Sequence, residues 1–181
     1  FAKYSKKYAD LGAEFSRLLK GELPADYAKD LPTFKVGEKL ATRKASQIVL
    51  NALAKKIPEL VGGSADLAES NYTDLEGNKM IEAGDYSGRI VRFGVREHAM
   101  AAAANGMSLH GGLRPFVATF LIFSDYLRPA LRLGALMEQP VIYPFTHDSV
   151  ALGGDGPTHQ PISQLTSLRS IPNVTVIRPA D

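Results

Sequence analysis

Four short stretches hold residues able to do chemistry, and each follows an apolar run. In the first, Gly94-Val95-Arg96-Glu97-His98 lies between Ile90–Phe93 and an alanine-rich segment, Met100 to Leu109. The order implied is strand, glycine turn, helix. Charged residues there sit at the carboxyl end of a strand, where open α/β sheets place their ligands. Glu97 falls in the first helical turn, where a carboxylate gains from the helix dipole. Read alone, it is a capping residue. In the second stretch, His147-Asp148-Ser149 and Asp155-Gly156-Pro157-Thr158-His159-Gln160 share one glycine-rich loop. His and Asp are metal ligands, but the spacing fits no compact ligand motif. A Ser-His-Asp hydrolase would need a G-x-S-x-G elbow, which is missing. Two His beside a glycine-rich bend favour contact with a hydroxylated or anionic ligand. The ordinary alternative is a pair of His bonded to backbone.

In the third stretch, Phe120, Phe123 and Tyr126 recur at three-residue spacing. Such a stripe is usually core packing, but at a strand end it could wall a flat heterocycle. The fourth is Gly62-Gly63-Ser64-Ala65-Asp66, after Leu60-Val61. Arg43, at a helix start, could hold a phosphate bidentately or be a solvated surface residue.

The elements that must position these residues alternate. Residues 3–20 read as an amphipathic helix, with Tyr4, Tyr8, Leu11, Phe15 and Leu18 on one stripe. Gly21 to Lys39, with Pro24, Pro32 and Gly37, reads as an extended linker. Thr42 is a candidate N-cap for a helix over 43–56, with Ile48, Val49, Ala52 and Leu53 facing the core. Leu60-Val61 makes a brief strand, and a long polar stretch runs to Gly88. Strands are expected at 90–93, 114–119, 140–145 and 174–177. Helices are expected at 97–109, 124–137 and 161–169. Pro129 is tolerable only near a helix start, and Pro144 is awkward in a strand. The pattern predicts an α/β fold: a parallel sheet flanked by helices on both faces, with an N-terminal helical arm. All four loops would then line one sheet edge, which turns four weak signals into one site.

At 181 residues the chain suits one domain with an arm. A net charge of +2, without a basic block, gives no reason to expect nucleic acid. Cysteine is absent, so disulfides and thiolate metal sites are excluded, in keeping with a cytoplasmic setting. No apolar run approaches the roughly 18–20 residues of a membrane span. The opening Phe1-Ala2-Lys3-Tyr4 has neither signal-peptide character nor an initiator Met. The sequence reads as a piece of a longer polypeptide.

Together, Ala41-Thr42-Arg43-Lys44, Gly62-Gly63-Ser64-Ala65-Asp66-Leu67, Arg96-Glu97-His98-Ala99-Met100, Thr119-Phe120 with Phe123 and Tyr126, Thr146-His147-Asp148-Ser149 and Asp155–Pro161 resemble the transketolase family. They match its middle, pyrimidine-binding domain, in order, from about residue 40. Residues 1–39 resemble the family's inter-domain arm and linker. The resemblance implies thiamine diphosphate as cofactor and two-carbon ketol transfer from a ketose phosphate to an aldose phosphate. It implies that Glu97 hydrogen-bonds the aminopyrimidine ring and promotes activation of the thiazolium carbon. Phe120, Phe123 and Tyr126 would surround the pyrimidine, and Asp66 would touch the cofactor near its thiazolium side. Arg43, Ser70 and His147 would hold the sugar phosphate. Asp155 and His159 would bond substrate hydroxyls, with His159 a candidate proton relay.

The resemblance also implies a homodimer. The cofactor diphosphate and its divalent metal (Mg or Ca) would be held by a preceding domain, so no metal ligand is expected within residues 40–181. By the same resemblance, that domain, the final helix and strand of this one and a later substrate arginine are expected outside these 181 residues. Gly154 stands where many relatives carry an acidic residue, which alters loop stiffness. The isolated chain is therefore expected to be inactive. Other readings are a related transferase, such as dihydroxyacetone synthase or deoxyxylulose phosphate synthase, and a non-catalytic association module of the same fold.

Overall fold

The computed structural model describes residues 1–179. Its centre is β1 (Leu60–Ser64), buried at all five positions. Parallel strands flank it: β2 (Ile90–Arg92) on one side and β3 (Arg114–Phe120) on the other. A two-residue β4 (Phe145–Thr146) extends β3, giving the order β2-β1-β3-β4. Successive residues of β3 point to opposite faces. Phe116 joins one apolar cluster with Ala54, Ile57, Leu60, Leu75 and Ile90, beneath α3 (Thr42–Lys56). Val117 joins the other, with Met100, Ala104, Leu127, Leu131 and Leu168 from α5 (Glu97–His110), α6 (Ser124–Leu136) and α7 (Gln164–Arg169). The sheet is covered by helices on both faces, as expected. Among the described residues no helix is long and apolar enough to cross a membrane.

Several elements differ from the sequence expectation. The first helix is two, α1 (Ala2–Lys7) and α2 (Ala9–Leu19), broken at Tyr8, whose backbone is not helical. Their stripe of Tyr4, Tyr8, Leu11 and Phe15 is exposed, because nothing among the described residues covers it. Ala41 takes the N-cap position of α3, Thr42 is its first residue, and no side chain caps it. Ile48 is exposed, while Asn51 and Ala54 face inward. Gly62 and Gly63 lie within β1, not in the loop after it. A short α4 (Ala68–Asn71) follows. Pro161 does not start α7, which begins at Gln164.

Val174–Ile177 is not a strand. A strand needs a ladder partner, and the sheet edge offers only the two residues of β4. Val174 and Val176 instead pack on the core cluster. They line a cavity of about 450 Å³ with Val141, Tyr143 and Leu165. Pro144 explains why β4 is so short. Phe116 pairs with Ile142 in the same register that pairs Thr119 with Phe145, and Pro144 falls between. Proline has no N–H to donate, so the ladder is interrupted there.

An ion pair ties the second arm helix to the domain, and Asp26 and Asp30 of the linker pair with Lys56 of α3 at 3.2 and 2.8 Å. Arg17 of α2 donates to both oxygens of Glu59, at 2.6 and 3.1 Å, just before β1. Arg114 stands 3.7 Å away. Burial pushes the Glu59 carboxyl up, but the Arg17 hydrogen bond, a backbone hydrogen bond and the charges of Arg17 and Arg114 outweigh it. The carboxyl therefore sits below its ordinary range. A depressed carboxyl stabilises the fold above its unfolded pKa, about 4.3, and that contribution is lost as pH falls through the folded value. Glu59→Gln should cost about 1–3 kcal/mol near neutrality, as one charged partner is removed. The gap between the melting curves of the two proteins should narrow below about pH 4. A gap independent of pH would contradict this account.

Candidate active site

Each chemical loop leaves the carboxyl end of a strand. Asp66 follows β1 at φ 62°, exposed at the rim. Gly94, at φ 65°, turns the chain from β2 towards α5. Glycine adopts that left-handed backbone without strain, and a Cβ there would meet only the flexible end of the Arg96 side chain. Glu97 is then in the first turn of α5 and only 8% exposed. It takes part in none of the salt bridges among the described residues. A buried carboxylate without a cation is costly unless a ligand or a proton completes it. That argues against a mere capping role.

The aromatic stripe is a stack. Phe120 and Phe123 lie with centroids 5.8 Å apart and planes 15° apart, and Phe123 and Tyr126 at 5.9 Å and 21°. The turn of 3-10 helix at Leu121–Phe123, between β3 and α6, swings the three rings to one side. Tyr126 is 63% exposed, so the stack is not simply core. Both loop histidines join it. The His147 ring lies 3.7 Å from Phe120, and His159 meets Phe120 and Phe123 edge-on at 5.9 and 5.3 Å. The loop is held down beyond His159 by buried Gln164, whose Nε2 donates to Asp125 of α6 at 2.9 Å.

A polar group adjoins the stack. Arg43 Nη1 donates to the backbone carbonyl of Ser70 at 3.1 Å and lies 3.4 Å from His147 Nε2. The guanidinium sits 5.0 Å over the Tyr72 ring. Burial first, and then the Arg43 charge, hold the His147 imidazole below its ordinary pKa, against the opposing pull of Asp155 and Asp148. His147 has φ 52° and Tyr72 φ 56°. Left-handed backbone at non-glycine residues is strained and gathers at functional sites.

Arg43, the Ser70 backbone, Phe120, Phe123, Tyr126, His147 and His159 are thus brought together. Ser70 enters through its carbonyl, not its hydroxyl. Asp155 acts on His147 through its charge. Asp66 and Glu97 share the sheet edge without contact to this group among the hydrogen bonds given by the fold. Among the described residues no group of three or more His, Asp or Glu could hold a metal ion. Sequence reasoning missed Asn71 and Tyr72, and it quoted Thr146 and Asp148 within a motif without giving either a role; Asp148 pairs with Arg178 at 2.5 Å. Only their neighbourhood to Ser70 and His147 could have drawn attention to them.

The geometry is that of an α/β domain whose candidate site lies at the carboxyl ends of parallel strands, where such folds place ligands. Residues 38–181 match the family model "Transketolase, pyrimidine binding domain". The chain belongs to the transketolase pyrimidine-binding domain family. It is similar to the transketolase of Halalkalibacterium halodurans, 58% identical over 181 residues, which are 100% of this chain and 27% of that protein. The transketolase of Bacillus subtilis is likewise 58% identical over 100% of this chain and 27% of its own length. A solved transketolase of Pichia stipitis in complex with sedoheptulose 7-phosphate superposes with TM-score 0.95 at 47% identity, over 99% of this chain and 28% of that one. Transketolase from Leishmania mexicana gives 0.95 at 46%, over 99% and 27%. The chain thus spans about a quarter of the length of the relatives it matches.

Proposed function

We infer that this chain is the central domain of a transketolase, an enzyme that moves a two-carbon ketol unit between sugar phosphates with thiamine diphosphate. The observation that carries this reading is the joining of the Phe120–Phe123–Tyr126 stack to the Arg43–His147 pair at the sheet edge that also bears Glu97. Family membership and the sugar phosphate bound to a close structural relative support it. Residues 1–39 are the arm and linker, and residues 40–181 form the domain.

The residues present fit the cofactor's aminopyrimidine. Stacked rings with an open flank suit a flat heterocycle, and the buried, cation-free Glu97 suits a weakly basic ring nitrogen. When bound, the cofactor supplies a carbon nucleophile that carries the transferred unit. Glu97 would hold or release a proton at its carboxyl oxygen. Phe120, Phe123 and Tyr126 orient the ring and exclude water. Asp66, exposed at the rim, would touch the cofactor. Arg43, with the Ser70 backbone and His147, receives the substrate phosphate. Asp155 and His159 bond sugar hydroxyls, and His159 can pass a proton near the reacting carbonyl.

The diphosphate and a divalent metal belong to another domain of the whole protein, which works in the cytoplasm as a homodimer. The exposed, alanine-rich flank of α5, at Ala99, Ala102 and Ala103, suits close contact with a second copy. By itself the chain is inactive. Arg43→Ala in the full-length protein tests the phosphate role. A lost charge-assisted hydrogen bond is worth about 1.5–3 kcal/mol, or about 10- to 150-fold in kcat/KM. The loss is expected with phosphorylated substrates and should largely vanish with unphosphorylated sugars. Equal losses with both would overturn the assignment.

A further inference from the structure

Behind the Arg43–His147 pair runs a line of side-chain hydrogen bonds that reaches the middle of the sheet. His147 Nδ1 lies 2.8 Å from Thr146 Oγ1. Thr146 Oγ1 is 2.5 Å from Asn71 Oδ1, and Asn71 Nδ2 is 3.1 Å from Ser64 Oγ. Ser64 Oγ is 2.7 Å from Thr73 Oγ1. Asn71, Ser64 and Thr73 are buried, and the line joins β4, α4, β1 and the turn after α4.

The direction of the bonds from Arg43 as far as Ser64 follows from one end, while either hydroxyl of the Ser64–Thr73 pair can donate. A guanidinium has donors only. Where Arg43 Nη1 meets His147 Nε2, that nitrogen must accept. In a neutral imidazole one nitrogen then carries the proton, and it is Nδ1. Nδ1–H donates to Thr146 Oγ1. The single hydroxyl proton of Thr146 is free to donate onward, and Asn71 Oδ1 accepts it. The amide of Asn71 is thereby oriented with its nitrogen towards Ser64. The opposite direction would set a ring N–H against a guanidinium N–H. It would also turn the Asn71 amide over.

We propose that Thr146 and Asn71 are positioning residues that hold His147 as the Nδ1-protonated tautomer, so that Nε2 faces the phosphate side of the site as an acceptor. The tautomer follows from the hydrogen-bond geometry, while its meaning for a phosphate rests on the proposed function. A ligand that displaces Arg43 from Nε2 then meets a basic nitrogen. A phosphate dianion offers only acceptors, so its oxygen can join Nε2 only if a proton comes with it. With Nδ1–H already committed to Thr146, the added proton has one place to go. The groups that face this ring are Arg43 from α3, Asp148, Asp155 and His159 from its own loop, and Phe120 from β3.

Histidine-selective nitrogen NMR of the full-length protein carrying this domain tests the proposal, with the His147 signals identified by their loss in His147→Gln. The expected result is a protonated Nδ1 and a bare Nε2 above neutral pH. A ring protonated at Nε2 instead would overturn it. Thr146→Val removes the acceptor and should bring in the Nε2-protonated form, while Thr146→Ser should keep the Nδ1 form. A Thr146→Val protein that folds and retains a pure Nδ1 tautomer would equally overturn the role of Thr146. The spectra need no turnover, so failure here is separable from failure of the proposed activity.

Discussion

Glu97→Gln in the full-length protein should lower ketol transfer by roughly 10²–10⁴-fold, the range that a positioned acid–base group supplies. The substitution is nearly isosteric and keeps hydrogen-bonding capacity. It removes the charge and the ability to gain and lose a proton. Glu97 is buried in the first turn of α5 without a cation, so the amide relieves a desolvation cost and should not harm the fold. The lost dipole interaction is worth about 0.3–1 kcal/mol, too little to confuse the result. Steady-state kinetics beside a thermal melt would decide the matter. Near-normal turnover in a well-folded variant would sink the role of Glu97, and a collapsed melting temperature would make the residue structural.

The largest effect on stability is expected at Gly62. A Cβ there would lie 1.8 Å from the carbonyl oxygen of Phe116 in the neighbouring strand, and one at Gly63 would lie 2.0 Å from that of Val91. These are backbone atoms of two different strands, and neither can swing aside as a side chain would. Gly62→Ala must therefore spread the sheet at its centre. It should cost at least about 3 kcal/mol, at or beyond the upper end of ordinary overpacking. Gly77→Ala is the control for size, since nothing lies within 4 Å of its Cβ position, although its φ of 72° brings a modest strain of its own. Denaturant melts would compare the two. Equal stability of the variants would refute the close-approach account.

The same glycines show why part of the fold was legible and part was not. Alternation of apolar runs with helical periods gave the parallel sheet, because burial on two faces leaves its mark in every strand. Gly62-Gly63 reads locally as a loop signal. In β1 the pair is there because neighbouring strands crowd it, a fact held in residues far away. Val174–Ile177 is the reverse case: a β-branched run of strand type that finds no ladder partner. The loops could be placed on one edge from element order alone, and the aromatic stack met both histidines there. The bond between Asn71 and Thr146 could not be found, since they are 75 positions apart and neither type is notable by itself. Nor could spacing show that Ser70 would serve through its carbonyl.

Pro144 has a consequence for motion. The outer strand is stitched to β3 by the bonds around Ile142 and by the two residues of β4, with a missing donor between them. β1, by contrast, is paired on both sides and buried throughout. Two tiers of cooperativity follow. Amides of β1 should exchange with solvent only when the whole domain unfolds. Those of β4 exchange through a smaller opening that lifts Thr146 and His147 off the sheet and leaves the core closed. The proline thus sets the scale on which the histidine side of the site can breathe.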